Sequence, residues 1–160
     1  MRIQLALLAD HALAHPSDGK LYVTGGGIRS LTLPAFPGTY PHLALALGIE
    51  LPAQELGEEH SLMIETSGPT GEPILRPVQV TFRVPSTGPE GEDGHIHFVS
   101  NMDNVRFAGA GDYAFVVSIN EERLETVLLR VRQGVDASED AEGANLREAE
   151  ALVASGFKAY

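Results

Sequence analysis

The run Gly94-His95-Ile96-His97-Phe98 holds the residues of this chain best suited to chemistry. In an extended strand, two imidazoles two positions apart share a face, about 7 Å from one another. Strand-borne metal ligands are spaced this way. Asp103 or His60 would complete a facial set of the non-haem iron type. The competing reading leaves both rings facing solvent or packed on a sheet. His11 and His15 are four apart, which suits one metal only on a helix. In extended chain they stand roughly 13 Å apart. Asp93, Asp103 and Asp112 fall in loops, without the compact Asp-x-Asp spacing that calcium loops use.

Nucleophilic catalysis has little to build on. The chain has no cysteine, which removes thiolate catalysis, zinc–thiolate sites, iron–sulfur clusters and disulfides. No Gly-x-Ser-x-Gly elbow is present. Glu50 and Glu65 sit in strand-like runs, with nothing in the sequence to pair them. The triplet Gly25-Gly26-Gly27 follows a short apolar run, as a phosphate loop would. The dinucleotide fingerprint needs a helix directly after it. Instead "IRSLTLPAFPGTYP" alternates and then fills with proline, so no helix N-terminus is available to hold a phosphate. The glycines read as a bend or bulge between two strands. The expectation is a protein that is not an enzyme and uses no cofactor.

Composition narrows the partners. The 160 residues carry a net charge of −11. Residues 1–133 hold 16 acids against 9 bases, and residues 134–160 hold 6 against 2. An acidic balance spread through the chain argues against nucleic acid and anionic membrane as main partners. No stretch is long enough to span a membrane. "MRIQLALLADHALA" superficially suggests a signal peptide, but Gln4 and Asp10 break its apolar run and its alternation suits a strand. A cysteine-free chain of this size fits the cytoplasm.

The elements that must position any site are short β-prone runs separated by Gly, Pro and Asp. Arg2 to Ala9 is the first, with Ile3, Leu5 and Leu7 expected on one face. Ala12 to His15 and Lys20 to Thr24 flank a hairpin loop of Pro16-Ser17-Asp18-Gly19. Ile28 to Leu33 is stopped by three prolines. His42 to Leu51 is the longest apolar run and should be a central strand. Ser61 to Thr66, Val78 to Val84 and His95 to Ser100 follow. Asp112 to Asn120 and Leu124 to Arg132 form a last hairpin. No helix is expected in residues 1–133. The pattern predicts an all-β, antiparallel two-sheet sandwich, immunoglobulin-like. Tyr113, in "GAGDYAF", is placed to form a tyrosine corner.

Residues 134–144 read as an acidic linker. Residues 145–160 read as a short C-terminal α-helix and aromatic tail. Asn145 caps it and Glu148 completes a capping box. Leu146, Ala149, Leu152 and Val153 share one face, and Gly156 ends it. So short a helix must dock. Leu146, Leu152, Val153, Phe157 and Tyr160 are the candidate partner-binding residues, facing either their own sandwich or a neighbouring subunit.

"LALLAD" with "GKLYVTGGGIRSLTLPAFPGTYPHLALALGIELP" resembles the opening of a bacterial, actinobacterial-type family of unknown function. "EEHSLMIETSGPTGEPI" and "GAGDYAFVVSINEERLETVLLRV" resemble its middle and end. The resemblance spans residues 1–133. It implies a β-sandwich and brings no catalytic residues with it. Together these readings favour a non-catalytic interaction or assembly module that self-associates or binds an unidentified protein. The alternative is small-ligand or metal binding through His95, His97 and Asp103.

Overall fold

The computed structural model describes residues 1–15, 18–86 and 91–134. Its strands are β1 (Arg2–Ala9), β2 (His11–Ala14), β3 (Leu21–Thr24), β4 (Ser30–Leu33), β5 (Gly38–Leu51), β6 (Glu59–Ser67), β7 (Val78–Arg83), β8 (Gly94–Phe107), β9 (Gly111–Ile119) and β10 (Glu122–Gln133). One 3-10 turn, Ala53–Glu55, follows β5. The fold is all-β. One sheet runs β1-β5-β8, a second runs β4-β10-β9-β6-β7, and β2-β3 form a separate pair. The pairs are antiparallel except β4 with β10, which is parallel.

The sequence of β5 explains the layering. Leu43, Leu45, Leu47, Ile49 and Leu51 alternate with Ala44, Ala46 and Gly48, so large and small residues occupy opposite faces. The large face meets Leu62, Ile64, Phe115, Val117, Ile119, Leu129 and Val131 of the second sheet in one buried core. Fully burying one such side chain contributes about 1.5–3 kcal/mol. The small face packs under the β2–β3 hairpin, where Ala44 and Ala46 join Ala9 and Ala12. Space there is tight: a Cβ on Gly48 would lie 3.2 Å from Leu5 Cβ and 3.4 Å from His97 Cδ2. The long apolar run is therefore covered on both sides, by different layers.

Several expectations need correction. Ile3, Leu5 and Leu7 do not share a face. A register shift between Ile3 and Leu5 pairs Ile3 with Ile49 and Leu5 with Gly48, and such a bulge moves the following residues to the other face. The prolines after β4 do not exclude a strand, because β5 already begins at Gly38 and carries Pro41 within it. β8 runs well past Ser100, to Phe107. Its phase changes at Asn104, which has φ of 54°. Beyond it Val105 and Phe107 point into the core.

Tyr113 does form the expected corner. Its hydroxyl donates to the Gly109 carbonyl at 2.7 Å and accepts from the Gly109 amide at 3.3 Å. Its ring meets Phe107 edge-on, with centroids 4.9 Å apart. Gly25 and Gly27, at φ of 62° and 90°, turn the chain out of β3. The amides of Gly27 and Ile28 then donate to the Leu8 carbonyl. The triplet is a bend, as its sequence context suggests. Apart from Gly134, the linker read from residues 134–144 and the C-terminal helix and tail read from residues 145–160, with Leu146, Leu152, Val153, Phe157 and Tyr160, lie outside the described residues.

Candidate functional site

The β2–β3 hairpin lies on the outer face of the three-stranded sheet, and side chains rather than a strand ladder hold it there. The Asn101 amide donates to the Ala12 carbonyl at 2.9 Å, and its oxygen accepts from the Ala12 amide at 3.2 Å. One side chain thus substitutes for a strand partner. At the other end, the Asp10 amide donates to Thr24 and Gly25 carbonyls, and the Tyr40 hydroxyl donates to the Asp10 carboxylate at 3.0 Å. A Cβ on Gly25 would collide with the Asp10 carboxylate and force it to move.

The hairpin's outward face carries Leu13 and Tyr22, directly opposite one another in the ladder. They are 50% and 51% exposed. The Tyr22 hydroxyl donates to Asp18 at 3.4 Å. Within residues 11–24 the only charged side chains besides two histidines are Asp18 and Lys20, and their charged ends lie 3.5 Å apart. On a molecule of charge −11, this is an electrically balanced, apolar platform.

A cleft of about 390 Å³ lies at the turn end of the hairpin, lined by Ala14, His15, Gly19, Arg83, Val84, Pro85 and His95–His97. His97 is fixed by its Nδ1–H, which donates to the Gly19 carbonyl at 2.8 Å. His95 stands opposite Glu50 in the ladder. That carboxylate is held below its usual range first by hydrogen bonding to Arg2, against the opposing effect of burial. Both Arg2–Glu50 bonds are 2.9 Å, and Gln4 donates to the same group. Arg83 stands opposite Glu59 across the β6–β7 ladder, yet among the described residues it forms no ion pair. A wider groove of about 830 Å³ between β1, β4 and β10 includes Arg130 and Arg132. There Arg130 is bound to Asp112 at 2.7 and 3.1 Å, and both cations lower the carboxylate's pKa.

His95 and His97 share a cleft, but Asp103 does not join them. It lies six residues beyond His97 on β8, roughly 20 Å along the strand, and its carboxylate meets His42 Nδ1 at 2.8 Å. His60 is also elsewhere. It is buried, 5.5 Å from the Phe82 ring. Its Nδ1 accepts from the Asn120 amide, and its Nε2–H donates to the Glu55 carbonyl. Among the described residues no group of three or more such ligands can hold a metal ion. The facial set anticipated from spacing is not assembled, because strand spacing says nothing about which residue of a long strand returns to the site.

Sequence reasoning missed Arg83, Leu13 and Tyr22, and weighed His15 only with His11, not beside His95 and His97. Arg83 closes a strand that alternates apolar Val78, Val80 and Phe82 with polar Gln79 and Thr81, and reads simply as one more outward-facing residue. The Leu13–Tyr22 pair follows only from the register of a hairpin whose existence, though not pairing, was legible.

The comparisons bear on the described core. A model of a family of unknown function, DUF6941, matches residues 4–132. The chain belongs to this family. The match takes in every strand except the last residue of β10 and the first two of β1. No curated protein matches significantly. Among solved structures, a β-glucosidase from Listeria innocua in complex with glucose aligns at TM-score 0.38 and 11% identity, over 66% of this chain. The Pseudomonas fluorescens alkylpurine DNA glycosylase AlkC, bound to DNA containing an abasic site analog, aligns at TM-score 0.35 and 14% identity, over 79% of this chain. The chain spans 15% and 30% of those proteins' lengths. Among the described residues no helix is long and apolar enough to cross a membrane.

Proposed function

We propose that the chain is a non-catalytic interaction module of the cytoplasm, an immunoglobulin-like sandwich that self-associates into a homo-oligomer. The observation that carries this reading is the Leu13–Tyr22 platform, two large apolar side chains about half exposed on a hairpin locked in place by Asn101. Aromatic anchors on rigid elements suit an interface core. A second copy is the favoured occupant because of charge. Two molecules of −11 repel, and the hairpin, balanced within itself, is where like copies meet with least cost. A two-fold arrangement places each platform against its equivalent. The Tyr113 corner supports the immunoglobulin-like reading. The tail residues Leu146, Leu152, Val153, Phe157 and Tyr160 are a second candidate contact.

Sedimentation velocity tests this. The intact chain is expected to run above 17.1 kDa, and Leu13→Asp with Tyr22→Asp to run as a monomer with unchanged circular dichroism. Removing residues 135–160 separates the two contacts: association that survives assigns it to the hairpin, and association that disappears assigns it to the tail. A monomeric intact chain at high concentration overturns the proposal.

A further inference from the structure

We infer that the cleft at the hairpin turn is a binding site for a small organic carboxylate. The chain has twice as many acids as bases, yet among the described residues no acidic side chain lines this cleft, while Arg83, His15, His95 and His97 do. A formal cation, Arg83, inside a concave site favours anions there. Arg83 supplies a planar fork of donors suited to a carboxylate, and among the described residues no carboxylate already occupies it. Glu50, opposite His95, is engaged by Arg2 and Gln4. Asp18 contacts both His15, at 3.6 Å, and Lys20, at 3.5 Å, which leaves Arg83 as the cleft's main anchor for an anion.

The remaining wall is apolar: Ala14, Val84, Pro85 and Ile96. A volume of about 390 Å³ falls in the range of small-molecule sites. The combination calls for an anionic head and an apolar body, rather than a bare inorganic anion or a cation. His97 is held by Gly19, so the site's floor is joined to the hairpin, and an occupant would touch the same element that carries the Leu13–Tyr22 platform.

The test uses the intact chain with benzoate, phenylacetate and hexanoate, against benzamide as the neutral shape control and inorganic phosphate as the bare anion. Carboxylates are expected to shift the His95 and His97 ring proton resonances saturably, while benzamide and phosphate leave them in place. Arg83→Gln should weaken carboxylate binding about tenfold, the loss of one charge-assisted contact. Arg106→Gln, elsewhere on the surface, should leave it unchanged. Should Arg83→Gln fail to fold, Arg83→Lys keeps the charge without the fork and should weaken binding less. No shift with any of the three carboxylates overturns the inference. So does phosphate binding as tightly as they do, or Arg106→Gln matching Arg83→Gln. These outcomes are independent of oligomeric state, so failure here leaves the interaction module standing.

Discussion

Asn120 stands at the β9–β10 turn with φ of 51°, a conformation that asparagine tolerates better than most residues. Its side chain then reaches a third strand. The oxygen accepts from the Ser61 amide at 3.0 Å, and the amide donates to His60 Nδ1 at 3.0 Å. Its own backbone amide donates to the Ser61 carbonyl at 2.9 Å. Asn120→Ala leaves buried His60 with an unmet acceptor and strains the turn. Urea denaturation should show a loss of about 1–3 kcal/mol. A loss near zero would mean that water serves His60 equally well. Little of this was visible in the residues alone. "SINEER" announces a turn, but the contact with Ser61 depends on β6 lying beside β9, a long-range fact that local spacing does not encode.

Among the elements, β5 was the most legible and β1 the most deceptive. The Leu-Ala-Leu-Ala-Leu alternation of β5 identifies a central strand, and its small face is the imprint of a close neighbour. β1 alternates just as cleanly, yet its bulge splits Ile3 from Leu5. Composition cannot show a bulge that inserts no glycine or proline. The β2–β3 hairpin was foreseen as a hairpin, but its docking was not, since Asn101 sits in a stretch that read as leaving the strand. That docking gives a prediction. Asn101→Ala removes both bonds to Ala12, so amide hydrogen exchange in residues 11–14 and 21–24 should speed up while β5 and β9 stay protected. Uniform acceleration would instead show that the hairpin and the main core open as one unit.

At the scale of the whole molecule, charge sets the cost of the proposed self-association. The platform is apolar and balanced, whereas the net charge of −11 opposes the approach of a second copy. Raising ionic strength from about 0.01 M to about 0.15 M shortens the screening length from about 30 Å to about 8 Å. Self-association should therefore strengthen with salt, as read by light scattering. Weakening with salt would point to ionic contacts and away from Leu13 and Tyr22. The parallel pairing of β4 with β10 bears on a different matter, the order of events in time. Ser30 pairs with Arg130, 100 residues later in the chain. At roughly 5–20 residues per second of synthesis, β4 waits about 5–20 s for its neighbour to be made. Throughout that interval Leu31 and Leu33 have no β10 to lie beside, and β9, once synthesised, keeps an unpaired edge. The newborn chain is thus most exposed to wrong partners just before β10 emerges.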